Sequence, residues 1–124
     1  ISADGLTIAY AVCDETIHDG ATSVVKLRNL VTGADTVAGS VRGVPRALIL
    51  SGGADKILVA GVDETGPVPA CVLDAHGAST CLEPGWTPLG WYGRDKVVLA
   101  DGDREVRRIA VADAAGRDLS VVYP

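Results

Sequence analysis

The chain has 124 residues, enough for one domain, and its 48% hydrophobic and 22% charged residues support a packed core and exclude a disordered chain. A formal net charge of -5 argues against a nucleic-acid binder, which shows a basic face, and the one local basic cluster, Arg104, Arg107 and Arg108, sits beside Asp101, Asp103 and Glu105. No run reaches the roughly 18 apolar residues of a membrane-spanning helix, so no membrane span is expected.

Phe and Met are absent while Ala, Gly and Val dominate, so backbone layers must pack closely, as stacked sheets with small and β-branched residues do. The chain opens at Ile1 rather than Met and is expected to be a segment of something longer.

In chain order, Ala3-Asp4-Gly5 reads as a turn before a strand over 6–13. A polar insertion over 14–22 follows, then a strand over 23–30, a turn closed by Gly33 and a strand over 35–40. The next stretch predicts strands over 46–51, 56–62, 68–74 and 78–82, with turns at Gly53-Ala54-Asp55 and Ala75-His76-Gly77. The last predicts strands over 86–92, 96–101, 106–113 and 117–123, with turns at Gly93-Arg94-Asp95 and around Gly116. A helix over 103–115 is the local alternative, since Val106, Ile109, Ala110 and Ala114 have helical spacing and Asp103 suits a cap.

The turn glycines Gly33, Gly77 and Gly116 lie 44 and 39 residues apart, and Thr7, Lys56 and Lys96 lie 49 and 40 apart. A period near 40 residues is that of a four-stranded propeller blade. The expected fold is therefore all-β, a β-propeller segment of three four-stranded antiparallel blades in one domain, with blades over 1–42, 43–83 and 84–124. The first blade lacks most of its innermost strand. Propellers have about four to eight blades, and an open end exposes strand edges. Half of a six-bladed ring is the expected whole, its other blades supplied by another part of the parent chain or by a second copy.

Hairpin register bears on the three cysteines. If Ala75, His76 and Gly77 form a three-residue loop, Asp74 faces Ala78 and, counting outwards, Cys71 faces Cys81. Opposed residues lie within disulfide range, so a Cys71–Cys81 disulfide is predicted; the alternative is two free thiols. A disulfide implies an oxidising, extracytoplasmic setting, secreted or cell-surface. Cys13 is left over, either buried as a thiol or paired outside the segment.

The run Ser2-Ala3-Asp4-Gly5-Leu6-Thr7-Ile8-Ala9-Tyr10 resembles the blade signature of TolB-type, WD40-like β-propellers, in which Ser-Pro-Asp-Gly precedes a short strand with an aromatic. Ala3 stands where that family has proline. Val25-Lys26-Leu27-Arg28-Asn29-Leu30-Val31-Thr32-Gly33 resembles its next element, a strand ending in an Asp-Leu-x-Thr-Gly turn, with Asn29 in place of aspartate. Ser51-Gly52-Gly53-Ala54-Asp55 and Trp91-Tyr92-Gly93-Arg94-Asp95 retain only turn character. The resemblance implies blade architecture across the whole chain, and no activity, since the motif builds the fold.

Candidate sites follow from that layout. The insertion containing Asp14, Glu15 and Asp19, the pair Asp63 and Glu64, and the segment with Asp101, Asp103 and Arg104 all fall in the loop between the second and third strands of a blade. Together they would form an acidic end for a basic protein, a small ligand or a hard cation such as Ca²⁺; solvated turns are the plainer account. Trp86, Trp91 and Tyr92 would form a stacking platform at the surface or a core between blades. No nucleophile elbow or phosphate loop is present, and His18 and His76 fall at opposite ends of the blades. The expectation is a non-enzymatic binding module without cofactor, with a self-assembling structural half-propeller or an accessory propeller of a larger hydrolase as alternatives.

Overall fold

The computed structural model describes residues 1–2, 4–13, 22–53, 55–63, 66–74, 79–82, 84–93, 95–101, 108–114 and 119–123, without the side chains of Cys13, Asp63, Pro67 and Tyr123. Among the described residues eleven strands form three antiparallel meanders. The first sheet is β1 (Thr7–Cys13), β2 (Thr22–Asn29) and β3 (Asp35–Arg42). The second is β4 (Val44–Leu50), β5 (Lys56–Asp63), β6 (Gly66–Asp74) and β7 (Ser79–Cys81). The third is β8 (Trp86–Tyr92), β9 (Lys96–Asp101), β10 (Arg108–Asp113) and β11 (Ser120–Tyr123). Of the stretch where a helix competed, Arg108–Asp113 is strand β10 and Ala114 a turn, because Ala110 and Ala112 are both buried on one face while β9 and β11 pair on either side. Among the described residues the outermost strands are shorter than expected, Leu82 lying outside β7 and Leu119 outside β11.

Two cores hold the sheets together, and β5 feeds both. Ile57 and Val59 join Leu73 against Val25, Leu27, Ala38 and Val41 of the first sheet. Leu58, between them in sequence, points the other way and joins Ala70, Val72 and Leu82 against Val97, Leu99 and Ala112 of the third sheet. A strand covered on both faces needs a continuous apolar run rather than alternation, and Ile57-Leu58-Val59 supplies it. By contrast β2, with one face covered, alternates: Ser23, Val25 and Leu27 are buried between partly exposed Val24 and Lys26.

The turns explain why the repeats align. Ser2 Oγ donates to Asp4 Oδ1 (2.6 Å) and accepts from the Thr7 amide (3.0 Å), while the Ser2 amide donates to the Thr7 carbonyl. Ser51 repeats this in the second sheet, donating to Asp55 Oδ1 (2.8 Å) and accepting from the Lys56 amide (3.1 Å). The second blade thus keeps more than turn character. Its aspartate stands four residues after the serine instead of two, which hides the match in sequence but not in space. Asn29 performs an aspartate's task in the next turn, its Oδ1 accepting from the Val31 and Thr32 amides.

Candidate functional site

The register places Cys71 opposite Cys81, with Val72 opposite Thr80 and Leu73 opposite Ser79, and the two cysteines form a disulfide (S–S 2.07 Å). The Leu82 amide donates to the Ala70 carbonyl in the adjacent pair. Cys71 and Cys81 are therefore a non-hydrogen-bonded pair, the closer of the two antiparallel geometries, with Cα atoms 3.9 Å apart.

Cys71 shares the face of β6 that looks toward the first sheet. There the disulfide lines a cavity of about 300 Å³ with Val41, Val59, Val68 and Pro69. Its origin is local. β7 covers only the Cys71–Leu73 stretch of β6, and Gly61 carries no side chain beneath. Gly61 is obligatory for another reason as well, since a Cβ there would lie 2.7 Å from the Val44 carbonyl oxygen of β4.

At the end of the blades where the acidic surface was expected, Asp63 and Asp101 close β5 and β9. Asp14, Glu15, Asp19, Glu64, Asp103 and Arg104 lie outside the described residues, so the surface as a whole is described only at Asp101. That carboxylate is engaged: Arg108, directly opposite on β10, donates to Asp101 Oδ2 from Nε (2.9 Å) and Nη2 (2.6 Å). The same guanidinium lies 5.1 Å from the centroid of the Trp86 ring, in cation–π range. With Arg108 half exposed, the ion pair contributes at most about 1 kcal/mol.

Trp86 and Trp91 both pack against the core between the second and third sheets. An odd separation would put them on opposite faces of a regular strand. A bulge between Pro88 and Gly90 leaves Leu89 as the extra residue and returns both rings to one side. Trp91 Nε1 then donates to the Ile49 carbonyl (2.8 Å), joining the two sheets. Nothing in the sequence marked that bulge except the neighbouring Pro88 and Gly90.

Arg28 and Asp35 form the first sheet's counterpart, with Nε to Oδ1 at 2.9 Å and Nη2 to Oδ2 at 3.0 Å, and Arg28 lies 5.6 Å from the Tyr10 ring centroid. This pairing holds the Asp35 carboxyl below the usual carboxylate range. The Ser2 hydroxyl does the same to Asp4, and Ser51 to Asp55. The Ser2 and Ser51 side chains are buried and their hydroxyls donate to these aspartates, an arrangement that builds turns. His18 and His76 lie outside the described residues. Among the described residues no group of three or more His, Cys, Asp or Glu side chains is placed to hold a metal, and no helix is long and apolar enough to cross a membrane.

No protein-family model matches the chain, and no curated protein matches it. Among solved structures it is similar to one described as the β-propeller domain of the Trilobed protease from Pyrococcus furiosus, reported to have an open velcro topology. The TM-score is 0.67 at 18% identity, and the match covers 99% of this chain and 41% of that one. At that identity the likeness shows the fold alone. The chain is a β-propeller segment, and it spans less than half the length of the propeller chain it matches.

Proposed function

We propose that the chain is a non-enzymatic interaction module, a portion of a larger propeller of the TolB-type repeat class in an extracytoplasmic protein. One observation carries this reading. Among the described residues, the first and third sheets each have one face with no sheet against it, and large apolar side chains stand exposed at these ends, among them Val12 (51%), Val37 (61%) and Leu89 (53%). Such surfaces suit contact with further blades or a protein partner. The repeated serine–aspartate turn and the Asn29 turn support the repeat class, and the Cys71–Cys81 disulfide supports an oxidising compartment. The end of the blades around Asp101 and Arg108 is where ligand or protein contact is proposed.

The test is binding of an environment-sensitive hydrophobic dye by the folded 124-residue chain. Strong dye fluorescence from a cooperatively folding sample is expected. A folded chain that is silent toward the dye has no open apolar face and overturns the reading. The accessory propeller of a larger hydrolase is a second reading, favoured by the protease origin of the similar solved domain.

A further inference from the structure

The two free faces are not alike, and the repeats show it position by position. Thr7 opposite Asn29, Lys56 opposite Asp74 and Lys96 opposite Asp113 are corresponding pairs. Counting from them along the two strands of each pair gives corresponding positions in the three sheets. Each sheet then has a leading face, turned toward the sheet before it, and a trailing face, turned toward the sheet after it.

On the leading side, Ile8 corresponds to Ile57 and Val97, and Tyr10 to Val59 and Leu99; the four counterparts are buried at 4% exposure or less. On the neighbouring strand Arg28 corresponds to Leu73 and Ala112, and Lys26 to Cys71 and Ala110. Leu73, Ala112 and Ala110 are buried at 1% exposure or less. The leading face of the first sheet therefore carries two cations where the packed sheets carry small or aliphatic groups. Its one described carboxylate there, Asp35, is taken by Arg28.

The trailing side behaves oppositely. Val98 and Ala100 correspond to Leu58 and Ala60, and Ile109 and Val111 to Ala70 and Val72. Leu58, Ala70 and Val72 lie in the core against the third sheet. The trailing face of the third sheet thus repeats the composition of a buried interface; Val98, Ile109 and Val111 are partly exposed and Ala100 is buried, yet among the described residues no sheet covers it. Among the described residues its charged groups, Lys96 and Asp113, sit at the rim, as Lys56 and Asp74 do beside the buried interface.

We propose that the trailing face of the third sheet is the docking surface for a further blade-type sheet bearing aliphatic residues at the positions of Ile57, Val59 and Leu73, and that a second copy of this chain is not that partner. A second copy would bring Lys26 and Arg28 onto Val98, Ile109 and Val111. The Lys26 ammonium would be buried against aliphatic groups with no partner of its own, and the Arg28–Asp35 pair would be stripped of water; both are strongly disfavoured. This rests on the reading of the chain as a propeller portion and adds to it a direction: the ring continues from the third sheet, and self-pairing is blocked at the first.

The experiment makes the leading face of the first sheet resemble those of the others. Lys26→Ala, Arg28→Leu and Asp35→Ser install the residues found at the matching positions as Ala110, Leu73 and Ser79. Light scattering is read over a concentration series. The unaltered chain is expected at 12.7 kDa. The triple variant is expected to associate head to tail, its mean mass at least doubling, and addition of Val111→Lys is expected to restore the monomer. A triple variant that stays monomeric overturns the proposal. So does association that Val111→Lys leaves intact, and so does an unaltered chain whose self-association Val111→Lys abolishes. Should the triple variant fail to melt cooperatively, the Arg28→Leu/Asp35→Ser pair is put through the same series. Dye binding by the unaltered chain is independent of these outcomes, so the docking claim can fail while the module reading stands.

Discussion

Ser51 is fully buried, and its hydroxyl ties the Asp55 carboxylate to the Lys56 amide across the turn that joins β4 to β5. Removing the hydroxyl strands an acceptor and a part-buried amide together. Ser51→Ala is expected to cost about 1–2 kcal/mol, and Ser2→Ala less, since Ser2 lies beside the exposed Ile1. Urea unfolding measures both. A Ser51→Ala loss below about 0.5 kcal/mol would show that water replaces the bond.

Acid should weaken the fold through the same turns. Asp4, Asp35 and Asp55 have carboxyls lowered from 3.8 in the folded chain, by Ser2, Arg28 and Ser51 respectively. A depressed folded pKa gives stability that is present above the unfolded value and lost as pH falls through the folded one. Unfolding midpoints should hold from neutral pH down to about pH 4 and then fall. Asp55→Asn should flatten the acid limb; an unchanged slope would remove Asp55 from this account.

The Cys71–Cys81 bond closes a short loop, with a sequence separation of 10. Replacing both cysteines by alanine is expected to lower stability by about 2–3 kcal/mol. A non-reducing peptide map should recover residues 71 and 81 in one linked peptide. Recovery of either cysteine joined to Cys13 instead would contradict the hairpin register.

Gly61 has no room for a side chain, because the β4 backbone at Val44 and Pro45 lies within 3.3 Å of where a Cβ would sit. Gly61→Ala is expected to cost about 1–3 kcal/mol by prising β4 from β5. Gly52→Ala, with nothing within 4 Å, is the matched control and should be near neutral. Equal melting temperatures for the two variants would mean that β4 shifts freely.

Much of this architecture is legible in the residues themselves. Local turn chemistry and two-residue periodicity act within a few residues of chain, so the strands over 86–92 and 96–101 and the pairing of Cys71 with Cys81 follow from the sequence. The equivalence of Ser51–Asp55 with Ser2–Asp4 does not, because hydrogen-bond geometry tolerates a change of spacing that a motif does not. Nor does the joint placement of Trp86 and Trp91, which depends on a bulge set by pairing with β9. The acidic surface was read from loop composition, and of its described members Asp101 is held by Arg108, a partner brought opposite only when β9 and β10 pair. Sequence alone determined the repeat, the strands and the disulfide register. Only the tertiary structure decided which face of each sheet is covered, because burial depends on the sheet that arrives from elsewhere in the chain. It therefore left Lys26 and Arg28 on one open face and Val98, Ile109 and Val111 on the other.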